Sequence, residues 1–130
     1  MRAKLSVLRA SRRLLRPGGR LAFFTISIAR DLSAADRRRA TDAGPPSPDG
    51  PYLSETLDRV GFTDVREVDV TADYLTTTRA WLTARLRHRN TVRPLDPEMY
   101  DGRLNQGKAS TAAIEDGLLR RSLHIARVPL

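Results

Sequence analysis

The chain contains no cysteine, which excludes a disulfide scaffold, thiolate zinc sites and thiol catalysis. Aromatic residues make up only 5%, so a buried core must be built mostly from Leu, Ile, Val and Ala. Lysine occurs only at Lys4 and Lys108; the basic excess is arginine, spread from Arg2 to Arg127 without one dominant tract. No uninterrupted apolar run approaches the roughly 20 residues of a membrane-spanning helix. The longest, Leu21 to Ala29, already holds Thr25 and Ser27. The basic opening from Met1 to Arg20 has its apolar residues dispersed between arginines, a pattern that argues against a targeting peptide. No membrane partner is expected, and the expected compartment is the cytoplasm. Serine-hydrolase elbows, phosphate-binding glycine loops and paired-acid motifs are also missing; Asp69, Asp73, Asp96 and Glu98 form no such pair. His88 and His124, the only imidazoles, fall on separate expected elements without metal-ligand spacing, so both are read as structural or exposed.

What remains is enough for one globule. The 130 residues are 40% hydrophobic, and because independent domains usually need roughly 100 residues, a single core is expected. The formal charge of +8, with a pI near 11.1, attracts polyanions and acidic surfaces through its summed field. Arg9, Arg12, Arg13 and Arg16 share one helix, and Arg37 to Arg39 or Arg85, Arg87 and Arg89 widen that field. No aromatic stacking motif interleaves with them, so specific nucleic-acid binding is not expected.

Apolar periodicity orders the elements. Leu5, Leu8 and Leu15, widened by Val7, Ala10 and Leu14, predict an amphipathic helix stopped by Pro17-Gly18-Gly19. Arg20 to Ala29 reads as a strand buried on both faces, with Leu21, Phe23 and Thr25 on one side and Ala22, Phe24, Ile26 and Ile28 on the other. Ser33 is placed to cap a short helix through Arg39, with Asp36 three residues on, before the Gly44 to Gly50 run breaks regular structure. Tyr52, Leu53, Leu57 and Val60 define a helix face that exits at Gly61, and Val65, Val68 and Val70 an edge strand. From Asp73 the period is helical again, with Pro94 and Pro97 as interruptions. A further helix is expected from Ala109 to Leu119, with Gly117 near its end, and a strand from Ser122 to Val128.

The stretch Leu14-Leu15-Arg16-Pro17-Gly18-Gly19-Arg20-Leu21-Ala22-Phe23, followed by Leu57-Asp58-Arg59-Val60-Gly61-Phe62-Thr63-Asp64-Val65, resembles the second half of class I S-adenosylmethionine-dependent methyltransferases. The resemblance implies an α/β fold: a partial Rossmann-like sheet of the last three strands, flanked by helices. Its final strand, Leu118 to Val128, would run antiparallel between the other two. Residues 1–130 would then be one truncated domain, with 71–117 a helical insertion before the last strand. In that family a Gly-rich loop after the first strand and an acidic residue near the end of the second hold S-adenosylmethionine. Neither has a counterpart before Pro17, where Met1 to Arg16 contains no glycine and no acid. The implied consequence is that the chain alone binds no cofactor and transfers no methyl group. The implied open edge of Arg20 to Ala29 calls for a partner, either a homo-oligomer or a separately encoded first half.

If the domain is completed, the resemblance implies a small-molecule methyl acceptor near the carboxyl end of that strand. The candidate contacts are Thr25 and Ser27, with Arg30-Asp31 at the rim. Tyr74 and Trp81 share a helix side and are candidates for an aromatic lid over an apolar acceptor. The plainer reading makes Thr25 and Ser27 ordinary strand residues, Arg30-Asp31 a solvated turn, and Trp81 an anchor in the core.

Overall fold

The computed structural model describes residues 2–44 and 53–130. The Gly44 to Gly50 loop, apart from Gly44 itself, and the position of Tyr52 lie outside the described residues. The elements run α1 (Arg2–Leu14), β1 (Arg20–Ile28), α2 (Ala34–Ala43), α3 (Leu53–Val60), β2 (Thr63–Asp69), α4 (Thr71–Arg87), α5 (Arg89–Val92), a 3-10 turn (Arg93–Leu95), α6 (Pro97–Glu115) and β3 (Leu119–Arg127). The sheet order is β1-β3-β2, with β3 antiparallel to both neighbours. This is the partial α/β sheet the resemblance implied, and the final strand sits in its middle.

Both sheet faces carry helices. Leu21 and Phe23 of β1 and Ala126 of β3 meet Leu8 of α1, Leu57 of α3 and Phe62 in one cluster. On the opposite face Ile26, Ile28 and Leu119 meet Ala40 and Ala43 of α2 and Ala113 and Ile114 of α6, with Tyr74 and Leu75 of α4 alongside. The small alanines let α2 and α6 approach closely. The carbonyl of Ala43, at the end of α2, accepts from Gln106 Nε2 at 2.8 Å and Ser110 Oγ at 2.5 Å, both on α6. Those bonds satisfy a helix-terminal acceptor that would otherwise be stranded.

Local sequence explains the boundaries. Gly18 takes φ +75 and donates to the Val128 carbonyl at 3.0 Å, while a side chain at Gly19 would meet the Arg16 carbonyl at 2.8 Å. Only glycine fits that turn, which locks the start of β1 to the end of β3. Ser33 caps α2 as expected, its Oγ accepting from the Asp36 N–H at 3.1 Å, and the helix runs on to Ala43. Gly61 leaves α3 at φ +98.

Two expectations are corrected. The long second helix begins at Pro97, not Ala109: Asp96 accepts from the Met99 N–H at 3.1 Å, and Pro97 occupies the first turn, where its missing N–H costs nothing. Pro97, read as an interruption, is instead the start of this helix. Within it, a Cβ at Gly107 would lie 3.0 Å from the flexible end of Leu82, where α6 crosses α4. Second, β1 is not buried on both faces; none of its residues is fully buried, and Phe24 is 55% exposed. Its outer edge has no strand partner among the described residues, so the covering helices find no flank to close against.

Candidate functional site

Because β1 and β2 both run antiparallel to β3, they are parallel to each other and their carboxyl ends lie at the same end of the sheet. In open α/β sheets that end is where ligands bind. A cavity of about 650 Å³ lies there, lined by Ser27, Arg30 and Asp31 from β1 and its turn, Glu67 and Asp69 from β2, and Arg120 and Ser122 from β3. Asp31 holds φ 60, a left-handed conformation uncommon outside glycine.

Asp69 is the best-anchored acid in the cavity. Its Oδ1 accepts from both the Thr71 N–H and the Thr71 hydroxyl, which hold its carboxyl below the usual carboxylate range, with Arg120 adding in the same direction. The Thr71 Oγ1 in turn accepts from the Arg121 N–H at 3.0 Å, so the end of β2, the start of α4 and β3 are fastened at one point. The cavity therefore presents mixed charge, with arginines and carboxylates facing the same space.

Ser27 lines this cavity together with Arg30 and Asp31, so three of the sequence-derived positions are brought together. Thr25 is not among them. Its hydroxyl lies 3.0 Å from His124 Nε2, one strand over, and it borders a separate groove beside α1. Tyr74 sits on the opposite sheet face, against the cluster containing Ile26 and Ile28. The guanidinium of Arg121 lies 4.3 Å from its ring centre and 4.6 Å from that of Phe24. Trp81, two helical turns beyond Tyr74, is 58% exposed, which overturns the expectation of a core anchor.

The sequence left His124 as structural or exposed and did not single out Arg121. His124 is 2% exposed, stacks on Phe23 at 5.2 Å, and its Nδ1 has no partner. Burial pushes its imidazole below the ordinary histidine value, with the Glu67 carboxylate acting in the opposite direction. The signal was the strand alternation itself: with Leu123 and Ile125 on one face, His124 must share the other with Ser122 and Ala126. That second face is the fully buried one, because α1 and α3 cover it, whereas Leu123 and Ile125 are half-buried. Among the described residues no group of three His, Asp or Glu side chains is arranged to hold a metal. Nor is any helix long and apolar enough to cross a membrane.

A cofactor of the nucleoside type needs backbone close to its ribose and an acid to take the ribose hydroxyls. The turns that leave β1 and β2 at the cavity, residues 29–33 and Val70, contain no glycine; Gly117, before β3, is the one glycine of the lining, and the Thr71 bonds fix Asp69 through its Oδ1. These residues do not by themselves fit that group.

No protein-family model matches the chain, and no curated protein matches it in sequence. Solved structures do match its fold. Phosphoethanolamine N-methyltransferase 2 of Haemonchus contortus, solved with S-adenosyl-L-methionine, superposes with a TM-score of 0.72 at 18% identity, over 97% of this chain and 30% of that one. The cyclopropane synthase MmaA2 from Mycobacterium tuberculosis gives 0.77 at 18% identity, over 95% of this chain and 49% of its own. The cyclase SpnF gives 0.65 at 17% identity, over 97% and 44%. The chain thus has the fold of the class I S-adenosylmethionine-dependent methyltransferases, in part. It spans between about a third and about half of the length of these three relatives.

Proposed function

We propose that the chain is the second half of a methyltransferase-type domain, which transfers a methyl group to a small-molecule acceptor only when a first half completes it. The observation that carries this reading is the unpaired outer edge of β1 in a fold whose relatives extend well beyond the matched part. Residues 1–130 are one truncated domain on this reading, and 71–117 are a helical insertion ahead of the last strand. S-adenosylmethionine is the donor of the completed domain, held mainly by groups that these residues lack. Methyl transfer then needs an acceptor aligned with the donor, and Ser27 with the Arg30-Asp31 turn would orient that acceptor at the carboxyl end of β1. Thr25 supports the same strand from the neighbouring position through His124.

Calorimetric titration of the purified chain with S-adenosylmethionine tests the central claim. No saturable binding is expected; micromolar binding at one site per chain would overturn it. Co-expression with a first half should create a donor site where neither piece has one. Neither Tyr74 nor Trp81 lines the Ser27 cavity; if they cover an acceptor, it is on the α4 face of the sheet, and the exposure of Trp81 makes this separable from folding. Trp81→Ala should change acceptor affinity of the completed domain while moving stability by less than about 0.5 kcal/mol, the usual range for exposed positions.

The alternative is a noncatalytic oligomerisation or partner-binding remnant, favoured by the same bare β1 edge. A completed domain that binds donor but transfers nothing would select it.

A further inference from the structure

The unpaired edge of β1 has a definite chemistry. In the β1–β3 register, the Ala29 N–H donates to Leu118 and the Gly19 carbonyl accepts from Val128. Antiparallel ladders alternate, so residues 21, 23, 25 and 27 spend their backbone groups on β3, and residues 22, 24, 26 and 28 point theirs outward. Beside this edge runs a groove of about 420 Å³ lined by Val7, Leu8, Leu21, Phe23, Phe24 and Leu53. Val7 is 63% exposed, and Leu14, two turns along α1, is 86% exposed. Strand-pairing groups and an unburied apolar stripe therefore lie side by side.

The charge of the molecule is concentrated on the same element pair. Residues 1–30, which hold α1 and β1, carry eight Arg or Lys and no acid, while residues 31–130 carry fifteen cations and fifteen acids. The whole formal charge of +8 thus belongs to the α1–β1 unit. Arg9, Arg13, Arg16 and Arg20 are exposed on it. A second copy would bring the same positive charge to the same place, and a nucleic acid has no backbone to complete a β ladder or side chains to fill an apolar groove.

We infer that the α1–β1 edge is a docking surface for an acidic polypeptide that adds a strand to β1, with apolar side chains entering the groove and carboxylates drawn in by the summed positive field of residues 1–30. For the direction in which the sheet continues, this assignment rests on the methyltransferase reading. It goes further in specifying the partner: a strand-forming segment of net negative charge, recognised first through a long-range field and then through main-chain bonds.

The test uses the full chain and a peptide of alternating Val and Glu, about nine residues long to match β1. Controls are the Val-Lys peptide, a Val-Glu peptide interrupted by proline, and a single-stranded oligonucleotide. The acidic peptide should bind saturably and slow amide exchange at residues 22, 24, 26 and 28 by roughly tenfold or more. Affinity should fall by roughly tenfold as salt rises from about 0.05 M to about 0.3 M, and Arg9→Gln, Arg13→Gln and Arg16→Gln together should weaken it similarly. Equal binding by the Val-Lys or the proline-interrupted peptide, or protection of those amides by the oligonucleotide, would overturn the inference. So would their protection by raised chain concentration alone, which would point to a second copy. Edge protection together with a completed domain that binds no donor would leave this inference standing and retire the methyltransferase reading.

Discussion

The two edges of the sheet are built differently. β2 is short and charged: Thr63, Asp64, Arg66, Glu67 and Asp69 are all exposed, the ladder shifts register between Thr63 and Arg66, and Asp64 takes φ 50. Charge and irregularity are how natural sheets prevent a free edge from recruiting another chain. β1 has none of these devices. Arg20 is its only charged residue, its register against β3 is unbroken over nine pairs, and Phe24, Ile26 and Ile28 line its length. One edge is a boundary and the other resembles an internal strand with a neighbour removed. The contrast points to β1, not β2, as the edge for the proposed added strand.

The largest expected effect comes from removing the support beneath the finished edge. Leu57 is fully buried and anchors α3 over the face it shares with β2 and β3. Leu57→Ala should lower stability by about 2–5 kcal/mol in urea unfolding, the usual range for a buried leucine that leaves a cavity. A loss under about 1 kcal/mol would mean that α3 does not hold that face. Asp69→Ala should cost less, about 1 kcal/mol, since it deletes a cap-like carboxylate at the end of β2 and the start of α4. Asp69→Asn should recover part of the loss, because an amide oxygen still accepts from Thr71. If Asn and Ala are equally damaging in urea unfolding, the charge, not the hydrogen bonds, is what the site needs.

The central strand contributes a pH dependence. His124 is buried as the neutral imidazole and its folded-state value is depressed, so the unfolded chain takes up its proton first as pH falls. Stability should be fully present above the ordinary histidine value of about 6.5 and decline below it, as the fold resists a buried imidazolium. Unfolding midpoints at about pH 7.5 and about pH 5.5 should differ in the native chain and differ less in His124→Gln. An unchanged difference in the variant would assign the effect to other groups.

Much of this architecture was legible in the sequence because short-range chemistry decided it. Pro17-Gly18-Gly19, Ser33 and Gly61 act within one turn, and the ordered motifs pointed to a last strand placed between the other two. Features set by distant residues were not legible. Gly107 sits where α6 crosses Leu82 of α4, a neighbour that no local pattern announces. His124 stayed open between structural and exposed because nothing local announces that its strand face is covered. Of the candidate site, Ser27, Arg30 and Asp31 converged because they are near neighbours on one strand end, whereas Thr25 and Tyr74 ended on opposite faces of the sheet. The concentration of charge in residues 1–30 was present in the composition but gained meaning only when those residues proved to border the bare edge.

The smallest expected change in stability tests the edge contrast most directly. Ala22 is exposed and its N–H points away from β3, so Ala22→Pro deletes an outward donor without changing charge or breaking the β1–β3 ladder. The isolated chain should lose less than about 1 kcal/mol, since proline is tolerated on a strand edge whose N–H faces solvent. Binding of the acidic strand peptide should nevertheless fall by roughly tenfold, because the added strand can no longer complete its bonds at that position. An affinity that survives Ala22→Pro unchanged would reduce the surface to a basic patch attracting any polyanion, and the two edges would then differ in charge but not in pairing.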